Sequence, residues 1–313
     1  MPSGSSSPVK FAPANSTTSR RMIELLGGLA LGQGFTPSRL PGVRFIRASG
    51  NLPRTPMVYH PGICIVAQGR KTGHFGDQIF PYDANNYLVM AMPVPFETET
   101  FATSEEPMLA LFIGVTPALV AELVVQTEQS YAPPSGHQPQ AIESAPLSDD
   151  LFDAAVRLLE CLRSADDARI LGPQCVREIT YRVLLGPLGG NLRALAAPSS
   201  HFGQIGRVLN RIHTEFARKL DMETLAGEAG MSVSTFHARF KAVTSSSPLQ
   251  YLKSIRLHKA RMLMTHDGAN AGTAAHLVGY ESLSQFSREF KRLFGASPSD
   301  TAGQLRKFLI RLE

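Results

Sequence analysis

One phrase is written twice near the C-terminus of this 313-residue chain. Phe236, Phe240-Lys241, Val243 and Ser247-Pro248 recur, 50 residues on, as Phe286, Phe290-Lys291, Leu293 and Ser297-Pro298. Each copy follows a short run of small residues ending in glycine, residues 225–230 in the first and 274–279 in the second. Two phenylalanines four positions apart share one side of a helix, and a glycine ahead of that helix supplies a tight turn. The spacing predicts two helix-turn-helix units, an arrangement that excludes a sheet for the last third of the chain.

The faces of the two second helices follow from about 100° per residue. In the first, Ser232 is placed to cap, and Val233, Phe236 and Phe240 fall on one side. Ser234, Ala238 and Lys241 lie opposite, with Thr235 and His237 on the flanks. In the second, Phe286, Phe290 and Leu293 face inward, whereas Ser284, Arg288 and Lys291 face out with Gln285 and Arg292 beside them. Each outward set mixes hydrogen-bonding side chains with cations, the combination that reads base edges and grips phosphates. Arg288 and Gln285 suit bidentate base contacts, and Lys241, Lys291 and Arg292 suit phosphates. Between the copies, residues 248–264 form a helix-like stretch with Pro248 at its start and Leu249, Leu252, Ile255, Ala260 and Leu263 available for packing. Its span of about 25 Å, with the flanking turns, places the two reading helices roughly one DNA turn, ~34 Å, apart.

Charge divides the chain in the same place. Residues 201–313 carry 16 Lys+Arg and 9 Asp+Glu, while the whole chain is only +5, so the N-terminal part is mildly acidic. A basic C-terminal part beside an acidic one fits double-stranded DNA as partner of the first and another task for the second. Length also favours two domains over one core.

From residue 43 to 115 the texture becomes short apolar runs punctuated by turn residues: 43–47, 57–59, 63–67, 74–80, 87–91, 96–102 and 109–115. These predict a cupin-like antiparallel β-barrel or jelly roll whose mouth can hold a small molecule. A first helix is expected at 17–31, capped by Thr17 or Thr18, with Ile23, Leu26 and Ala30 on one side. Two more follow the barrel. The first, at 149–163, carries Leu151, Ala155, Leu158, Leu159 and Leu162; the second, after Pro173, carries Val176, Ile179, Val183 and Leu184. They can pack on the barrel or on a second copy of the chain. The fold class is α+β, with an all-α C-terminal domain. Domains are expected as a disordered Ser/Pro/Ala-rich tail at 1–18, an effector or dimerisation domain at 19–190, a linker at 191–200 within the Gly/Pro/Ala-rich stretch 186–200, and the double helix-turn-helix domain at 201–313.

From 201 to 311 the chain resembles the DNA-binding domain of the AraC/XylS transcriptional regulators. The resemblance is carried by residues 247–252 (Ser-Pro-Leu-Gln-Tyr-Leu), 256–261 (Arg-Leu-His-Lys-Ala-Arg), 278–282 (Val-Gly-Tyr-Glu-Ser) and 286–291 (Phe-Ser-Arg-Glu-Phe-Lys). Residues 20–190 resemble, more weakly, the N-terminal effector domain of one subgroup, chiefly through 63–71 and 87–90. The resemblance implies base-reading positions at Ser234, His237, Ala238, Leu283, Ser284, Gln285 and Arg288. It also implies promoter DNA and RNA polymerase as partners, a small-molecule effector, a homodimer formed with help from the helices near 149–185, a cytoplasmic location and, more often than not, activation. Departures are Ser245 where the family usually has glycine, Ala238 without a hydrogen-bonding group, and Ala274 in place of a larger aliphatic residue.

Other chemistries lack their residues. His60 and His74 are 14 positions apart, with no His-x-His pair and no suitably spaced Glu, which argues against a metal. There is no GxSxG, P-loop or dinucleotide fingerprint, so neither an enzyme nor a cofactor is indicated. The apolar stretch 108–125 is broken by Pro117 and Glu122 and reads as a strand followed by a helix rather than a membrane span. Three cysteines, Cys64, Cys161 and Cys175, show no ligand spacing and fit a reducing compartment. Cys64, among Ile63, Ile65 and Val66, reads first as a core cysteine; the alternative is a thiol made reactive by His60, Arg70 or Lys71.

Overall fold

The computed structural model describes residues 17–84, 86–127, 139–197, 200–265 and 267–301. The expected N-terminal tail, as far as residue 16, lies outside these residues, as do the side chains of Thr17 and Thr18.

The first half is built on two antiparallel sheets. Strands β1 (Gly34–Pro37), β2 (Val43–Ala48), β3 (Leu52–Val58), β4 (Gly62–Gln68), β5 (Arg70–Phe75), β6 (Gln78–Asp83), β7 (Asn86–Met90), β8 (Pro95–Phe101), β9 (Met108–Gly114) and β10 (Ile142–Pro146) follow in chain order. The six-stranded sheet runs β1-β2-β9-β4-β7-β10 and the four-stranded sheet β3-β8-β5-β6. Two of the sequence boundaries change. The single run expected at 74–80 is a hairpin, β5 and β6 folding back at Gly76, whose φ of 59° suits glycine. The expected linker is largely helix.

The larger sheet is covered on both faces. Cys64, Val66, Leu88, Met90 and Phe112 point into the space between the sheets. Ile63, Ile65, Val89, Leu111 and Ile113 point the other way, into a helical layer. That is why β4 and β9 are apolar almost without alternation, as strands buried on two sides must be. The helical layer holds α1 (Thr17–Leu29), α2 (Pro117–Thr127), α3 (Asp149–Cys161), α4 (Ala165–Ile170), α5 (Gly172–Leu185) and α6 (Gly189–Ala196). The apolar stripes of α3 and α5 face each other and the sheet, so the barrel itself receives them. α6 packs on α2, burying Leu192 and Asn191, whose amide donates to Glu143 at 2.9 Å and accepts from the Gln140 N–H at 3.0 Å. The Gly/Pro/Ala-rich composition of 186–200 is compatible with helix here because small residues also allow close packing.

The second half is helical: α7 (His201–Glu215), α8 (Met222–Glu228), α9 (Val233–Thr244), α10 (Pro248–Thr265), α11 (Ala271–Leu277) and α12 (Leu283–Phe294). One apolar cluster runs without a break from the inter-sheet space through α7, α8 and α9 into the first half of α10, as far as Ile255. A separate cluster begins at Leu257 and takes the second half of α10 with α11 and α12. Among the described residues, no helix is long and apolar enough to cross a membrane.

Candidate nucleic-acid interface

The two repeated units fold by the same local rules. Asp221, Ser232, Asn270 and Ser282 cap α8, α9, α11 and α12, each accepting the N–H three residues on. Both turns close with the same pair of backbone bonds. Gly230 N–H donates to Gly227 and Met231 N–H to Ala226; Gly279 N–H donates to His276 and Tyr280 N–H to Ala275. Gly230 and Gly279 take φ of 66° and 84°, the left-handed geometry that favours glycine. Gly279 has a second reason: a Cβ there would lie 2.3 Å from the Ala217 carbonyl oxygen, whereas one on Gly230 would meet nothing.

The phenylalanines drive both helices home. Phe236, Phe240, Phe286 and Phe290 are fully buried, each pair in ring contact at 5.4–5.5 Å. The opposite sides stand free. Ser234, Thr235, His237, Ala238 and Lys241 on α9 are exposed, as are Leu283, Ser284, Gln285, Arg288, Lys291 and Arg292 on α12. Each helix therefore offers one continuous polar and cationic ridge. Val233, expected inward, is 42% exposed; it lies in the first turn of α9, beyond the reach of the shared core. In α10, Leu252, Ile255 and Ala260 are buried while Leu249 is half-exposed. At 18 residues, α10 spans about 27 Å.

The ends of the two recognition helices differ. α12 stops at Gly295, φ 77°, and α9 at Ser245, φ 55°, the one non-glycine residue with positive φ among those described. The departure seen in the sequence is thus a strained cap. Ser245 also touches the β5–β6 turn, where a Cβ on Gly76 would come within 2.7 Å of its hydroxyl.

Several positioning residues escaped the sequence reading. Glu289, on the inner flank of α12, accepts from Lys253 at 2.7 Å, Tyr280 at 2.7 Å and Gln285 at 3.2 Å. Burial alone would raise its carboxyl, but those three donors outweigh it and hold the pKa below the ordinary value. The Gln285 amide thus has one N–H committed to a carboxylate, which fixes which way it faces. Arg256 donates to three carbonyls, Phe216 at 2.7 Å, Gly279 at 2.9 Å and Arg218 at 2.9 Å, clamping the second turn to the end of α7. The available signal was that long polar side chains on a helix already crowded with packing residues need partners of their own.

The barrel meets the helices along a polar seam. The carbonyl of Pro93 receives the hydroxyl of Tyr251 and faces His213 Nε2 at 3.1 Å, and that nitrogen lies 2.8 Å from the Tyr251 oxygen. An Nε2-protonated neutral imidazole satisfies both contacts. Burial above all, with His60 and Lys259 nearby, pushes the His213 pKa down to about 4. Further along, Arg261 donates to the Pro56 carbonyl at 3.1 Å and stacks on Phe294 at 4.5 Å. A cleft of about 380 Å³ opens at the seam between the β5–β6 turn, α10 and α12, with Lys253 and Arg292 on its wall.

Cys64 is placed by the fold as a core residue. It is buried between the sheets, and burial pushes its thiol up to about 11 against a smaller opposing pull from Lys71. The reactive alternative required the opposite shift. No group of three or more His, Cys, Asp or Glu side chains among the described residues could hold a metal.

Residues 39–191 match the family model of the AraC-type transcriptional regulator N-terminus, and residues 225–304 match that of a helix-turn-helix domain. The chain belongs to the AraC-type transcriptional regulators. A putative AraC-like transcription regulator of Streptomyces lividans is 36% identical over 113 residues, covering 36% of this chain and 36% of that protein. The HTH-type transcriptional activator RhaS of Klebsiella pneumoniae is 29% identical over 145 residues, 46% of this chain and 51% of its own length. The chain thus spans between a third and a half of the curated relatives it matches. Among solved structures, unsaturated fatty acid-bound ToxT of Vibrio cholerae superposes with a TM-score of 0.53 at 13% identity, over 87% of this chain and 97% of that one. At that identity the likeness is one of fold, two sheets followed by a helical region.

Proposed function

We propose that this protein is a sequence-specific transcription regulator that lays α9 and α12 into two successive major grooves of promoter DNA. The observation that carries the reading is the pair of ridges, each with its phenylalanines at zero exposure and its polar side in solvent. On α12, Arg288 reads a base edge, with Leu283, Ser284 and Gln285 beside it; Lys291 and Arg292 hold phosphates. On α9, Ser234, Thr235, His237 and Lys241 contribute more affinity than choice, because Ala238 at the centre of the ridge has nothing to donate or accept. Affinity falls steeply with salt, as phosphate contacts require.

The sheets and helices up to residue 197 sense a small molecule or join two copies through the α3–α5 region, where Ile170, Leu171 and Tyr181 leave apolar surface exposed. Relatives named activators support activation through RNA polymerase, and a fold neighbour holding a fatty acid supports an effector. The seam cleft touches both halves, so a ligand there can favour one seating over another, which a switch needs. The protein acts in the cytoplasm and carries out no catalysis of its own. Mapping its genomic sites by immunoprecipitation and competing the recovered sequences against random DNA tests the proposal. Equal affinity for both would leave an architectural DNA-binding protein, and unchanged promoter affinity in Arg288→Ala/Lys241→Ala would remove the assigned face altogether.

A further inference from the structure

The helical layer carries two cysteines that DNA reading does not use. Cys161 is the last residue of α3, and Cys175 lies in the first turn of α5. Their sulfurs are 3.8 Å apart and both side chains are half-buried. The proximity is imposed by the helices. Leu158 of α3 and Ile179 of α5 are buried in the same cluster, and one turn from the thiols Arg157 donates to Glu178 at 2.6 Å, fixing the register of the two helices. A disulfide needs sulfurs at about 2.05 Å, so each has to move by about 0.9 Å, within reach of a modest χ1 rotation. The loop closed in this way contains α4 and no segment of the DNA-reading region.

We propose that Cys161 and Cys175 are a dithiol–disulfide pair, a modification site at which a low-molecular-weight disulfide or comparable thiol oxidant crosslinks α3 to α5. With glutathione disulfide, one protein thiolate attacks a glutathione sulfur and expels one glutathione thiolate. The second cysteine then attacks the mixed disulfide at the protein sulfur and expels the other. Two protein thiols lose two electrons and two protons, and the oxidant leaves as two thiols. Cys64 does not compete, being buried between the sheets.

Burial, reinforced by the neighbouring Cys161 thiol, raises Cys175 to about 11. The thiolate fraction at neutral pH is therefore small and exchange is slow, rising by roughly tenfold per pH unit toward alkaline pH where Cys175 is the attacking thiol. The same property makes the bridge hard to reopen, because a thiol of high pKa is a poor leaving group.

The test uses the full chain incubated with excess glutathione disulfide at pH 7, 8 and 9, trapped by alkylation and read by intact mass and peptide mapping. The expected product is a monomer lighter by two hydrogens, its Cys161 and Cys175 peptides joined, formed faster at each higher pH and restored by dithiothreitol. Cys161→Ser and Cys175→Ser each stop at a mixed disulfide with glutathione. Closing a loop of this size should also raise the thermal midpoint by roughly 5 °C or more. A bridge involving Cys64, a bridge between chains, no bridge at pH 9, or an oxidised form that melts below the reduced one would each overturn the assignment.

Discussion

Acidifying the protein should loosen it, and His213 shows by how much. The imidazole is neutral in the fold with its pKa near 4, driven down by burial first and by His60 and Lys259 after that, while its bond to the Pro93 carbonyl pulls the other way. In the unfolded chain a histidine titrates near 6.5. Between these two values the unfolded state takes up a proton that the folded state refuses, so stability falls as the pH drops from 6.5 toward 4 and is unaffected above that window. At pH 5 the unfolded state gains about 2 kcal/mol from protonating this one side chain, against about 0.1 kcal/mol for the folded state. His60 and His258, also held below the ordinary histidine value chiefly by burial, act in the same direction. The comparison that isolates His213 is therefore His213→Gln, which keeps a donor for Pro93 and does not titrate. Guanidinium unfolding of the full chain at pH 7.5, 6 and 5, followed by circular dichroism because the chain has no tryptophan, should show a pH dependence shallower by about 2 kcal/mol in the variant. An identical dependence in both proteins would refute the reasoning, since it would mean that the imidazole is reached by solvent in the folded state.

Three further outcomes are expected. Phe290→Ala empties a fully buried site in the second unit and should cost about 3–5 kcal/mol in denaturant unfolding. Arg288→Ala should cost about 1–3 kcal/mol on the preferred site and relax the choice at one base pair, while Lys291→Ala should weaken all sequences alike and reduce the salt slope by about one unit, both read by fluorescence anisotropy. Gly230→Ala should lower stability by only about 1–2 kcal/mol of backbone strain, and Gly279→Ala by clearly more, because its Cβ would press on the Ala217 carbonyl; equal losses in the two variants would contradict the close approach.

The repeat was legible because its spacing and its helical period agree, and nothing tertiary is needed to place Phe236 opposite Lys241. The inner strands were legible for a similar reason: β4 and β9 are apolar nearly throughout. The edge strands were not. β1 is four residues that pair with β2 alone, and β10 includes Glu143 and Pro146, so neither carries a periodic signal. α7 went unread although Phe202, Ile205, Val208, Leu209 and Ile212 form a plain stripe, because its cap, Ser200, closes the small-residue stretch that reads as linker. Glu289 has Gln285 one turn away on its own helix, but Arg256 and His213 could not be found from local pattern. The carbonyls these two bond are brought from 23 to 120 positions away, and only the assembled fold supplies those.

The division of apolar cores along α10 has a mechanical result. Loading applied to the sheets passes into α10 and from it to α9, through Tyr251 against Phe240 at 5.4 Å, whereas α12, with an apolar core of its own, meets β3 directly and is gripped through Arg261, which holds Pro56 and stacks on Phe294. A tilt of the N-terminal half therefore reaches the two helices by separate routes, one through a continuous apolar core and one through a short contact at β3.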